Sequence, residues 1–365
     1  MITSRQSVEG PFVAFEQDGA INRVTLTLIA TLALMLATMH HNFLGARPLI
    51  AQEYSTNIAL VVHQQLDFAA GRYAQSAPID QSRLLVPFLF SGLYHVAPWS
   101  WEAPTFLVAE WLVNFFSLFI LYLLARKIMN STVGAMATVL LMCLYVPFGF
   151  AGVTRVGEAA LFGIYCAIVL AALAERPALF VTAIIIGSLQ RPDISLCAAA
   201  FGVAHFLYSE RDRTAMRVLL TCLSLLLPVL VLAVIKSTYH LAEMSEFTDG
   251  LAQRLRWNLK DTRILVLAYA PLLAGTFLLK VRFDPTIKRM LLFSIVPWLS
   301  LNTFMGNFSE TRRFFPVIAV VLIGLVQCLV QQWRLGAGEE TIAAGIALPV
   351  FEASRPDARD GVRHA

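Results

Sequence analysis

Charge is what this chain has least of. Only 14% of its residues are Asp, Glu, Lys or Arg, 58% are hydrophobic, and the mean hydropathy is +0.67. A soluble protein of 365 residues has too little interior to hide that much apolar surface. The net charge of +4 is too small to point to a nucleic-acid partner. Cysteine is sparse and unpatterned: Cys143, Cys166, Cys197, Cys222 and Cys328 lie in apolar segments without a CxxC pair. They read as small buried hydrophobes and carry no information on redox compartment. Walker, HExxH, GxSxG and glycine-rich dinucleotide patterns are missing, which argues against nucleotide-driven chemistry and the familiar hydrolase sites. There is no internal repeat of the kind many transporters show. No signal peptide is expected, because the polar N-terminal stretch leads into an apolar run without a cleavage site.

What the chain does have is a series of long apolar runs. A spanning helix needs roughly 17–25 mostly apolar residues. Spans are predicted near 21–39, 105–125, 132–151, 157–174, 177–190, 194–208, 217–236, 262–280, 289–304 and 314–333. The expected fold is therefore all-α, a polytopic membrane helical bundle over residues 1–333 with about ten transmembrane helices. Gln190-Arg191-Pro192-Asp193 interrupts one apolar run, and Pro192 turns it into a helical hairpin. In the first outer loop, 40–104, Tyr54, Ile58, Val62, Leu66 and Ala69 form one helical stripe. Segment 84–97 is apolar but half a span long, which suits an interfacial or re-entrant helix. The loop is thus expected to carry two helices along the membrane surface. The tail, 334–365, is polar, has a short apolar run at 341–351 and ends in EASRPDARDGVRHA; it reads as cytoplasmic and disordered.

Short loops set the orientation. Arg126, Lys127, Arg176, Arg211, Arg213, Arg217, Lys280, Arg282, Lys288 and Arg289 fall on one side. That side is expected to be cytoplasmic, with both termini, in the cell's inner membrane. Arg254, Arg256, Lys260 and Arg263 fall on the other side, in longer loops that weigh less.

The candidate functional residues cluster at span ends on that other side. Ionisable groups at membrane depth are costly and mark functional sites by default. Glu53 precedes the stripe helix, where a carboxylate could take a proton from a hydroxyl or simply cap the helix. Asp67 and Asp80 also stand at plausible distances from the first span; spacing does not choose among the three, and Glu53 ranks first by its context alone. Arg83 could hold a phosphate or snorkel to lipid headgroups. Arg191 and Asp193 flank Pro192; either they neutralise each other, or Arg191 meets a phosphate with Asp193 orienting it. Glu310, Arg312 and Arg313 open the last span, where two arginines could bind an anion or anchor the interface. Arg155 and Glu158 stand at i, i+3 and read as a structural ion pair. His40, His41, His63 and His95 could bind a divalent metal but match no ligand spacing, so no cofactor is expected and a metal is left open without support.

Four stretches resemble one family. AQEYSTNIALVVHQQL places an acidic residue before a helix in an early outer loop, and QSRLLVPFL brings an arginine and a proline before the next apolar segment. IIIGSLQRPDISL resembles an "LxRP" hairpin tip, and SETRRFFPVIAVVLIGL an "E-R-Y-x-x-P" opening of a late span. In this order they resemble the GT-C class of integral membrane glycosyltransferases, especially bacterial ones using polyprenyl-phosphate sugars. Glu53 stands where relatives carry Asp, and Phe314 where they carry Tyr. The resemblance implies a polyprenyl-phosphate-linked sugar as donor, a glycan or lipid as acceptor, and membrane lipid as the surroundings. It also implies Glu53 as base, with arginines stabilising charge on the departing phosphate. A polysaccharide polymerase or ligase would share this chemistry. A lipid-linked glycan transporter would instead carry charge in the middle of its spans. A non-catalytic export-complex subunit would tolerate loss of Glu53 or Arg191.

Overall fold

The computed structural model describes residues 19–45, 57–70, 84–96, 102–149, 160–208, 222–239, 255–256, 258–260, 274, 283–305 and 311–343. Every regular element among them is helical: α1 (Gly19–Gly45), α2 (Asn57–Ala69), α3 (Leu85–Val96), α4 (Glu102–Met129), α5 (Thr132–Tyr145), α6 (Ala160–Leu173), α7 (Pro177–Ser188), α8 (Pro192–Tyr208), α9 (Leu227–Tyr239), α10 (Pro285–Met290), α11 (Val296–Met305) and α12 (Phe315–Ala343). One π-helical turn, Leu291–Ile295, joins α10 to α11, and 3-10 turns lie at Val146–Gly149 and Thr311–Phe314.

Three helices are long and apolar enough to cross a membrane: Arg23–Leu44, Glu102–Met129 and Phe315–Trp333. They mark the chain as a membrane protein. The expected spans near 132–151, 157–174, 177–190, 194–208 and 217–236 correspond to shorter apolar helices of 10–17 residues. The expected span 262–280 lies outside the described residues, Ala274 excepted.

Local chemistry accounts for the breaks. α4 ends where Asn130 takes a left-handed φ of 47°, and Ser131 then caps α5, its Oγ accepting from Gly134 N at 3.1 Å. Pro177 and Pro192 each occupy the first position of their helix, where the missing N–H costs nothing. The helical hairpin around Pro192 is therefore present. The last helix continues past Trp333 to Ala343, and the rest of the expected tail, 344–365, lies outside the described residues. One expectation needs correcting: Cys222, unlike the other four cysteines, is exposed, on the short helical turn before α9.

One core joins α1, α4, α5, α6, α7, α8, the π turn and α12 around Leu118, Tyr122, Phe162, Tyr165, Phe201 and Trp298. Lipid competes for apolar surface as well as protein does, so close backbone approach must hold such helices together. Gly163 supplies it between α6 and α4: a Cβ there would stand 2.8 Å from Ser117 Cα. The outer surface is apolar at Phe116, Leu144 and Val234, as a lipid-facing belt requires.

The bundle has two unlike ends. Arg126 and Lys127 close α4 at one, where Gly134 packs near Met129 and Val330 and where His205 lies near Arg289 and Glu175. At the other end α2 and α3 pack together over α1 and α4, around Leu44, Ile58, Val62, Val86, Phe90 and Phe106. Ile58 and Val62 of the stripe are buried and Leu66 packs beside them.

Candidate functional site

The α7–α8 tip organises the end opposite Arg126. Arg191 N donates to Gly187 O at 2.7 Å, closing α7. α3 docks on this tip by two of its first N–H groups. Leu84 N donates to Leu189 O at 2.7 Å, and Val86 N donates to the buried Gln190 Oε1 at 3.1 Å. Gln190 thereby satisfies a donor that a helix start leaves open.

Arg191 and Asp193 form a bidentate pair, Nε to Oδ1 at 2.9 Å and Nη2 to Oδ2 at 2.7 Å. The two partners are unequal: the Arg191 side chain is 4% exposed and that of Asp193 34%. The guanidinium carbon also lies 5.9 Å from the centroid of the Trp298 ring, a cation–π distance. Trp298 in turn donates its indole N–H to Arg313 O at 2.9 Å. Behind Arg313, Phe314 and Phe315 are buried, and Phe315 meets Phe162 edge-on. A chain of direct contacts thus runs from the start of α3 through the hairpin tip and α11 to the turn that opens α12. The contact is the mutual pairing that the sequence left open beside a phosphate-binding role, with Arg191 buried and Asp193 half-buried.

A second polar focus lies on α4. His40 Nδ1 and Glu110 Oε1 are 2.9 Å apart, with side chains only 3% and 1% exposed. Phe106 presents an edge to His40 at 5.6 Å. Eight residues nearer the start of α4, about 12 Å along its axis, Glu102 faces His63 of α2 at 3.4 Å, with both residues half-buried. Deeper along α4, Asn114 and Ser117 continue the buried polar face. Asn114 Nδ2 and Thr105 Oγ1 meet no hydrogen-bond partner among the described residues.

Of the expected site residues, the structure brings Arg191, Asp193 and Arg313 to one neighbourhood. Asp67 lies half-buried on α2, one turn beyond His63. Arg312 falls in the 3-10 turn, its side chain outside the described residues. Glu53, Asp80, Arg83, Arg155, Glu158 and Glu310 also lie outside the described residues. Sequence reasoning passed over Gln190, Trp298 and Glu110. Only Glu110 carried a signal, as the one acid within the apolar run 105–125. Comparison with protein-family models, with curated proteins and with solved structures finds no match to this chain.

Proposed function

We propose that the chain is a membrane glycosyltransferase of the GT-C type, moving a sugar from a polyprenyl-phosphate donor to a glycan or lipid acceptor. One observation carries the reading. Three of the four stretches that resemble this class come together in space: Leu84 of the second touches Leu189 of the third directly, and Trp298, which lies between the third and fourth in the chain, bridges Arg191 of the third to Arg313 of the fourth. On this reading the bundle has about ten spans. Both termini are cytoplasmic, and the hairpin tip faces the outside of the cytoplasmic membrane.

The chemistry follows from charge. Arg313, with Arg83 and Arg312, holds the donor phosphate as it gains negative charge. A carboxylate among Glu53, Asp67 and Asp80 takes the proton of the acceptor hydroxyl. That oxygen bonds to the anomeric carbon as the bond to phosphate breaks, polyprenyl phosphate departs, and the configuration inverts. No metal or cofactor enters this scheme.

The test is native mass spectrometry of the purified full-length protein beside Arg312→Ala/Arg313→Ala. The reading expects a co-purifying polyprenyl phosphate, bare or glycosylated, that the double variant loses. Bulk phospholipid alone in both proteins speaks against it.

Glu110 supports a second reading, a lipid-linked glycan transporter, because it puts an ionisable group inside a span. Loss of glycan transport across vesicles in Glu110→Gln, with no transferase product from either protein, would favour it.

A further inference from the structure

We infer that the face of α4 between Glu102 and Glu110 is a proton path, carrying protons from the end of the bundle opposite Arg126 to the buried His40–Glu110 pair. The inference does not depend on the transferase reading. Two histidine–carboxylate pairs stand along this helix, about 12 Å apart on its axis. The outer one, Glu102 with His63, is half-buried, its members 3.4 Å apart. The inner one, Glu110 with His40, is 2.9 Å apart and almost wholly buried. A structural ion pair accounts for either alone. Ionisable groups inside a span are costly, and a row of histidines and carboxylates leading to one is the chemistry of a proton relay.

What stands between the pairs decides how a proton passes. Phe106 lies on the same ridge of α4, four residues from each carboxylate, and is fully buried. It has no titratable group and blocks the straight line. His41 offers the way round. Its ring lies 6.0 Å from that of Phe106, and the ring of His40, next in the chain, lies 5.6 Å from it. His41 Nε2 is buried and meets no hydrogen-bond partner among the described residues; the same holds for Thr105 Oγ1, beside Phe106. A neutral imidazole accepts at one nitrogen and donates at the other. The step balances without a co-reactant. Glu102 takes a proton from water and gives it to one nitrogen of His41. The other nitrogen releases its own proton to the His40–Glu110 pair, and the ring turns over to restore its first tautomer. Among the described residues, the neighbouring helices add His63 and Asp67 on α2 and His95 in the last turn of α3 as titratable groups of this end. Past Ser117 the polar face of α4 gives way to the buried Leu118, Leu121 and Leu124, so protons enter from one end.

The experiment separates rate from equilibrium. The full-length protein in lipid nanodiscs is given a pH jump, and time-resolved infrared spectroscopy follows the carboxyl C=O band that Glu110→Gln removes. Wild type should gain and lose this band reversibly with bulk pH. His41→Phe should slow its appearance about a hundredfold, the low end of what a positioned proton-transfer group contributes, and leave the midpoint of the titration where it was. Glu102→Gln should slow it as well. Should His41→Phe fail to fold, His41→Gln keeps a hydrogen-bonding side chain without the titrating ring and should show the same slowing. A wild-type rate in both His41 variants overturns the path, and so does a moved midpoint at unchanged rate, which would make His41 an electrostatic neighbour only. Slower exchange in Asn114→Ala, with a wild-type rate in His41→Phe, would place the entry at the other end and overturn it too. If Glu110→Gln removes no pH-dependent band, the buried pair takes no proton and the inference falls.

Discussion

Trp298 donates its indole N–H to the carbonyl oxygen of Arg313 at 2.9 Å while its ring faces the Arg191 guanidinium at 5.9 Å. Through this one side chain the π-turn helix pins the α7–α8 tip to the start of the last span. Trp298→Phe keeps an aromatic ring but loses the donor and part of the indole volume, so it should cost at least about 1 kcal/mol. Trp298→Ala also opens a cavity and should cost about 3–5 kcal/mol. Thermal unfolding of the purified protein in detergent should rank wild type above Trp298→Phe above Trp298→Ala.

The His40–Glu110 pair predicts an asymmetry between breaking and replacing. Glu110→Leu alone and His40→Leu alone each break the pair from one side, costing about 3–5 kcal/mol as for a broken buried ion pair. The double replacement removes both members of the pair and should recover part of that loss. Expression level and melting temperature of the three variants would check this. Additive losses in the double variant would mean the two residues act separately.

Gly163 lets α6 approach α4. A methyl at this position would stand 2.8 Å from Ser117 Cα, a backbone atom that cannot swing aside. Gly163→Ala should therefore destabilise the bundle by about 1–3 kcal/mol, as overpacking does, although alanine is the better helix former. A melting temperature equal to or above that of wild type would show that the helices are free to part.

Gln190 fastens α3 to the hairpin tip through Val86 N. Gln190→Ala leaves that N–H without its acceptor and should cost about 1 kcal/mol, as loss of a helix cap does. Amide hydrogen exchange should rise at Leu85, Val86 and the next turn of α3, with α5 and α12 unchanged. Unaltered exchange at Val86 would mean that another group takes over the cap.

The parts of this structure that could be read from the chain are those with local causes. Pro192 between two apolar runs foretold the hairpin, and the spacing of Ile58, Val62 and Leu66 foretold α2 and its buried stripe. Arg191, Asp193 and Arg313 stood out because charge at span ends is costly. What stayed hidden depends on contacts distant in sequence. His40 and Glu110 are 70 residues apart, and neither predicts the other. Gln190 gave no sign that it would cap a helix 104 residues away. Trp298 looked like one more apolar residue of its span. The unequal burial of Arg191 and Asp193 was equally hidden, since adjacent charges in a turn look alike until the neighbouring helices close over one of them.

The most direct test of the proposed site is photolabelling with a polyprenyl phosphate that carries a diazirine beside the phosphate. The full-length protein in nanodiscs is irradiated and digested, and the labelled peptides are sequenced. The account predicts label on the peptides that contain Arg313 and the 189–193 tip, displaced by unlabelled polyprenyl phosphate but not by an equal amount of phosphatidylglycerol. Label confined to the lipid-facing surface around Phe116, Leu144 and Val234, or displaced equally well by phosphatidylglycerol, would contradict it.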